Sequence, residues 1–145
     1  MYKQLLSIIL ICLSFIVKGQ SVEDITWKAS SERISEKTYK LIFETENNKH
    51  WDIYAPGSMF DELSAVSISF ADSSLTISKS IETEGNSEKL KSPLFEGKEY
   101  QVFRNNVKFI AYLDFINTPP ANLQCTLNYT YGKGDEFFPG ETANV

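Results

Sequence analysis

Apolar residues recur at every second position through much of this chain, and beyond the first twenty residues no helical spacing stands out. The clearest run begins at Asn122, where Leu123, Cys125, Leu127, Tyr129 and Tyr131 alternate with Asn122, Gln124, Thr126, Asn128 and Thr130. Successive side chains of a strand point to opposite faces, so this pattern predicts a strand with one buried and one wet side. Val107 to Phe115 predicts a second strand, aligning Val107, Phe109, Ala111, Leu113 and Phe115. A third alternates Tyr39, Leu41 and Phe43 against Lys40, Ile42 and Glu44. Weaker alternation predicts Ile25 to Ala29, Trp51 to Tyr54, Ala65 to Phe70, Leu75 to Ile81 and Tyr100 to Phe103.

Turn-forming residues separate these runs. Asn47-Asn48 precedes the Trp51 segment, Ala55-Pro56-Gly57 follows it, and Asp72-Ser73-Ser74 divides the middle pair. Asn105-Asn106 predicts a tight hairpin between Phe103 and Val107, because Asn tolerates positive φ. Thr118-Pro119-Pro120 parts the last two strong strands, and the polar stretch Glu82 to Ser92 reads as a mobile loop. Seven or eight short strands at this spacing predict an all-β, antiparallel β-sandwich.

The chain's beginning has a different character. Lys3 precedes an apolar run from Leu5 to Val17, which Lys18 closes ahead of Gly19. That is the layout of a secretory signal peptide over residues 1–19, and the run is shorter than the roughly 20 residues that a membrane-spanning helix needs. The expected mature chain, 20–145, is enough for one domain and too little for two. It keeps 12 of the 14 Lys and Arg and all 19 Asp and Glu, for a net charge of −7. An acidic balance without basic clusters argues against nucleic acid and against an anionic membrane surface as partners. The expected location is the periplasm or the extracellular space.

Little in the sequence points to catalysis. His50 is the only His, too little for a metal site or a hydrolytic triad without further partners. No metal or other cofactor is expected. Asp61-Glu62 and Asp135-Glu136 read as solvated loop charges, and the Asn128-Tyr129-Thr130 triplet is explained by the alternating strand that contains it. Cys12 leaves with the signal, so the mature chain holds Cys125 alone and cannot close an internal disulfide. A reactive thiol needs solvent and a nearby positive charge, whereas Cys125 falls on the apolar face between Leu123 and Leu127. It is expected to be an inert core residue.

Four segments in order carry a resemblance. Trp51-Asp52-Ile53-Tyr54, Ser92-Pro93-Leu94-Phe95-Glu96-Gly97-Lys98, Phe103-Arg104-Asn105-Asn106-Val107-Lys108-Phe109, and Leu127 to Glu141 are together similar to the N-terminal periplasmic domain of the thiol:disulfide interchange protein DsbD. Small stand-alone relatives of that domain are disulfide bond corrector proteins. The resemblance covers about Glu23 to Glu141 and implies an immunoglobulin-like sandwich. In that family two cysteines after a late strand relay electrons, and a Phe on a cap loop shields them. One thiolate attacks a partner's disulfide and the second resolves the mixed disulfide, so both are needed.

Here the positions of that pair fall on Gly132 and Phe137, or on Tyr131 for the first if the spacing is one longer, and none is a cysteine. Phe95 matches the cap residue. The resemblance therefore implies a scaffold without its redox atoms, a non-catalytic module that binds a periplasmic or secreted protein, such as one of the thiol–disulfide exchange system. Phe95, Trp51, Tyr54, Tyr131, Phe137 and Phe138 are the expected aromatic contacts, with Trp51 and Tyr131 inclined to the core. Phe137 and Phe138 cannot both face inward in an extended segment. Two other readings remain open: disulfide exchange through a partner's thiols, and a carbohydrate- or surface-binding sandwich whose sign would be an exposed patch of Trp51 with Tyr54.

Overall fold

The computed structural model describes residues 25–47, 50–60, 63–91, 93 and 96–143. The expected signal at 1–19 and the expected cap residue Phe95 lie outside them.

The alternating runs form strands that build two facing antiparallel sheets. In the first, β1 (Thr26–Arg33) and β10 (Val107–Asp114) flank β2 (Thr38–Glu46), and β7 (Glu82–Glu84) adds to the far side of β10. The second runs β12 (Glu136–Ala143), β11 (Cys125–Lys133), β3 (Asp52–Tyr54), β9 (Glu99–Phe103) and β8 (Ser87–Lys91). Strand β6 (Val66–Phe70) also pairs with β11, toward its Cys125 end, while β3 pairs near Tyr131. A two-stranded ribbon joins β4 (Met59–Phe60) to β5 (Leu63–Ser64). The first sheet repeats the A-B-E-D order and the β12-β11-β3 part of the second the G-F-C order of immunoglobulin domains. The fold is an immunoglobulin-like β-sandwich.

Inward positions of both sheets fill the core. Leu41, Phe43, Ile53, Val102, Phe103, Val107, Phe109, Leu113 and Leu127 are all at most 2 % exposed. Each such side chain contributes on the order of 2 kcal/mol relative to leaving it in water. Trp27 bridges the sheets, its ring 5.2 Å from Phe109 and 5.1 Å from Tyr129. Cys125 sits in this core, buried, at the start of β11.

Three expectations give way. Leu75 to Ile81 is not a strand; only Ile77 makes a bridge, to Leu113. Glu82 to Ser92 is not a loop throughout, since it supplies β7 and all of β8. Both are edge strands, wet on both faces apart from Leu90, so no apolar alternation marks them. And Asn105-Asn106 does not turn a hairpin: β9 belongs to one sheet and β10 to the other, so the chain there crosses between sheets. Asn106 Oδ1 instead accepts a hydrogen bond from the Asn47 N–H at 3.0 Å.

Candidate functional site

The segment Asn128 to Glu141, which reads from sequence as a strand leading into a presenting loop, is a continuous hairpin. Strands β11 and β12 stay in register from Thr126↔Ala143 to Lys133↔Glu136, and the turn is made at Gly134, whose φ is +63°. A non-glycine residue there would be strained. Pro139 lies within β12, which the fold permits because β12 is an edge strand. Across from Tyr129 stands Gly140, and the Tyr129 ring lies where a Gly140 Cβ would be. The aromatic ring thus covers the bare glycine.

Gly132 and Phe137 are direct cross-strand partners. Gly132 is buried, and a Cβ on it would collide with the Glu136 carbonyl oxygen and come within 3.0 Å of the Phe137 Cα. Alternation turns Phe138 inward and Phe137 outward, the latter 48 % exposed. Phe138 faces Tyr131 across the hairpin with ring centres 5.7 Å apart. Trp51 meets both edge-on, 5.3 Å from Tyr131 and 6.4 Å from Phe138. Edge-to-face pairs at such distances contribute about 0.5–1.5 kcal/mol beyond burial.

Polar contacts anchor Trp51. Asn47 is buried, and its side chain accepts from the Trp51 N–H at 3.0 Å and donates to the Trp51 carbonyl at 2.7 Å. His50, just before Trp51, stands at φ +53°, and its Nδ1 donates to the Arg104 carbonyl. Next along β3, Asp52 accepts from Arg104 Nε at 2.6 Å, while Arg104 Nη1 donates to Glu88 at 2.6 Å. The Asp52 contact, foremost, holds the guanidinium firmly in its charged form. The Asp52 side chain is only 12 % exposed, so the ion pair is mostly buried at its carboxylate end. Neither Asn47 nor the Asp52–Arg104 pair is visible in sequence spacing, since 52 residues separate the latter two.

The structure divides the expected aromatic contacts. Trp51, Tyr131 and Phe138 come together on the hairpin and the segment beside it, whereas Phe137 stands on the hairpin's opposite, outward face. Tyr54 does not join them: it stacks on Tyr100 at 5.4 Å and is 3 % exposed. Burial first, then Tyr100 and Asp52, push its hydroxyl up to about 12. Tyr131, also 3 % exposed, is a core residue and not a surface contact. The exposed Trp51–Tyr54 patch that a carbohydrate-binding surface would offer is therefore absent. The thiol of Cys125 faces the core beside Phe70, at the end of β11 away from Gly132. Among the described residues, no three His, Cys, Asp or Glu side chains gather to hold a metal ion.

No family model matches the chain, and no curated protein matches it. Among solved structures it is similar to the yeast GGA1_GAE domain-P21 structure, with a TM-score of 0.42 and 14 % identity over 85 % of this chain and 93 % of that one. A likeness that distant carries no argument about what the chain does.

Proposed function

We propose that the chain is a secreted or periplasmic, non-catalytic sandwich, akin to the DsbD N-terminal domain, that binds another protein through the β11–β12 hairpin and the adjoining Trp51 segment. One observation carries the reading. Gly132 and Phe137, the positions where the resemblance puts a redox pair, face each other across the hairpin without sulfur, and Phe137 stands 48 % exposed on the outer face of a hairpin whose inner face is braced by Tyr131, Phe138 and Trp51. Thiol–disulfide exchange needs two sulfur atoms within reach of one another, and a buried Cys125 supplies neither the number nor the access. An exposed aromatic on a rigid strand loses little entropy on binding and is the kind of group that anchors interfaces.

The test is binding of the purified protein to periplasmic thioredoxin-fold oxidoreductases, measured by calorimetry with Cys125 as the only thiol of the mature chain. A non-covalent complex is expected that Phe137→Ala weakens at least tenfold, on the order of 2 kcal/mol, while the fold stays intact. Binding that survives Phe137→Ala rejects the surface. A mixed disulfide to Cys125 in the native protein would overturn the non-catalytic reading.

A further inference from the structure

Strand β1 has a free edge. Among the described residues it pairs only with β2, and it does so over all eight of its residues without a bulge or a proline. Every residue but Trp27 is exposed. A long, regular, unpaired edge offers a row of backbone donors and acceptors to another strand.

The outer face of this sheet says which strand fits. Glu84, Lys108, Glu44 and Lys28 are successive cross-strand partners on β7, β10, β2 and β1, so one row of side chains alternates in sign across the whole sheet. It stops at Lys28, where an acidic neighbour would continue it. The Lys28 ammonium touches Glu46 on the β2 side at 3.0 Å, yet the side chain is 73 % exposed and open to a second carboxylate on the other. A second row runs Tyr112, Lys40 and Glu32, and stops at Glu32, where a basic neighbour would continue it. Both missing neighbours exist on β1 itself. If two copies of β1 pair antiparallel about a two-fold axis at Ser30, Lys28 of each copy stands opposite Glu32 of the other. Trp27 then faces Arg33 on the inner side, and positions 27–33 are all paired. Shifting the axis by one residue, to Ala29, sets Lys28 against Ser30 and Glu32 against Thr26, and the alternation is lost. The strand itself carries Lys28 and Arg33 against Glu32, so this edge does not repel a second copy although the chain's net charge is −5.

We infer that the free edge of β1 is a homodimer interface in which two first sheets join into one continuous antiparallel sheet, in the register that opposes Lys28 and Glu32. Opposite charges directly across a strand pair stabilise it, and like charges there oppose it. The inference stands apart from the protein-binding reading of the β11–β12 hairpin, which lies in the other sheet.

A contact of one strand pair is small, and interfaces of that size belong to the weak class, so sedimentation equilibrium of the purified protein should extend to about 100 µM and beyond. The wild type is expected to approach twice its monomer mass. Lys28→Glu and Glu32→Lys are each expected to weaken self-association at least tenfold. Mixing the two variants in equal amounts is expected to restore a dimer, now heterodimeric, because the carboxylate introduced at position 28 of one chain then meets the ammonium introduced at position 32 of the other. That recovery also shows both variants to be folded. Three results would overturn the inference: a wild type that stays monomeric, as it would if the edge takes a strand from a different protein; a dimer indifferent to both reversals; or a mixture that remains monomeric.

Discussion

Single residues set the chemistry of the β3 region. Tyr54 is the clearest, because its hydroxyl titrates near 12 in the folded chain, raised first by burial. Unfolded, the same hydroxyl titrates at the ordinary value near 10. Between those values the folded chain holds a proton that the unfolded chain has released, so rising pH favours unfolding. The contribution is fully present below pH 10 and is lost as pH climbs through about 12. Urea melts at stepped alkaline pH should show this decline, and Tyr54→Phe should remove its share; an identical decline in the variant would place the titrating group elsewhere. None of this was legible in the sequence. Alternation could mark Tyr54 as belonging to a strand, but β3 is three residues long and buried on both faces, so no polar side distinguished its inward positions.

At the scale of elements, the hairpin β11–β12 makes a sharp distinction between neighbours. Phe138 packs against Tyr131 and Trp51, whereas Phe137 is half in water. Truncating a fully buried Phe costs about 3–5 kcal/mol, and for the partly buried Phe138 about 2 kcal/mol is expected from Phe138→Ala. Phe137→Ala should stay within about 0.5 kcal/mol. Equal losses in denaturant titrations would mean that the two rings are not on opposite sides. The sequence supported that alternation but not the strand carrying it. Glu136, Pro139 and Gly140 look like loop material, and only the sheet edge, with Tyr129 laid over Gly140, lets them extend. The strands legible beforehand were those with one wet and one dry face, β2, β10 and β11. Among the elements missed, β7 and β8 are edges where solvent on both sides leaves no pattern to read.

For the whole molecule, the sandwich encloses the Cys125 thiol. Cys125 is 2 % exposed between two sheets that share one core, so a reagent should reach it only when that core opens. With Cys12→Ser removing the other thiol, native labelling by a bulky disulfide reagent is expected to be slow and to accelerate with denaturant in step with global unfolding. Fast labelling in buffer would show a local opening near β6. The sandwich architecture was legible because alternation and turns recur along the chain. The crossing from β9 to β10 was not, since Asn105-Asn106 would suit a hairpin equally well and the two are told apart only by long-range pairing, of β9 and β10 with strands of different sheets and of Asn106 with Asn47.

The crowding around Gly132 also imposes an order on change. A bare α-carbon is all that position 132 accepts while the Glu136 peptide stays where it is, whereas position 137 opens to solvent and would take almost any substituent. Any route that introduces a reactive pair at these two positions must therefore begin on the β12 side and loosen the turn before it can touch its neighbour, because a first step at 132 forces the Glu136 backbone to move.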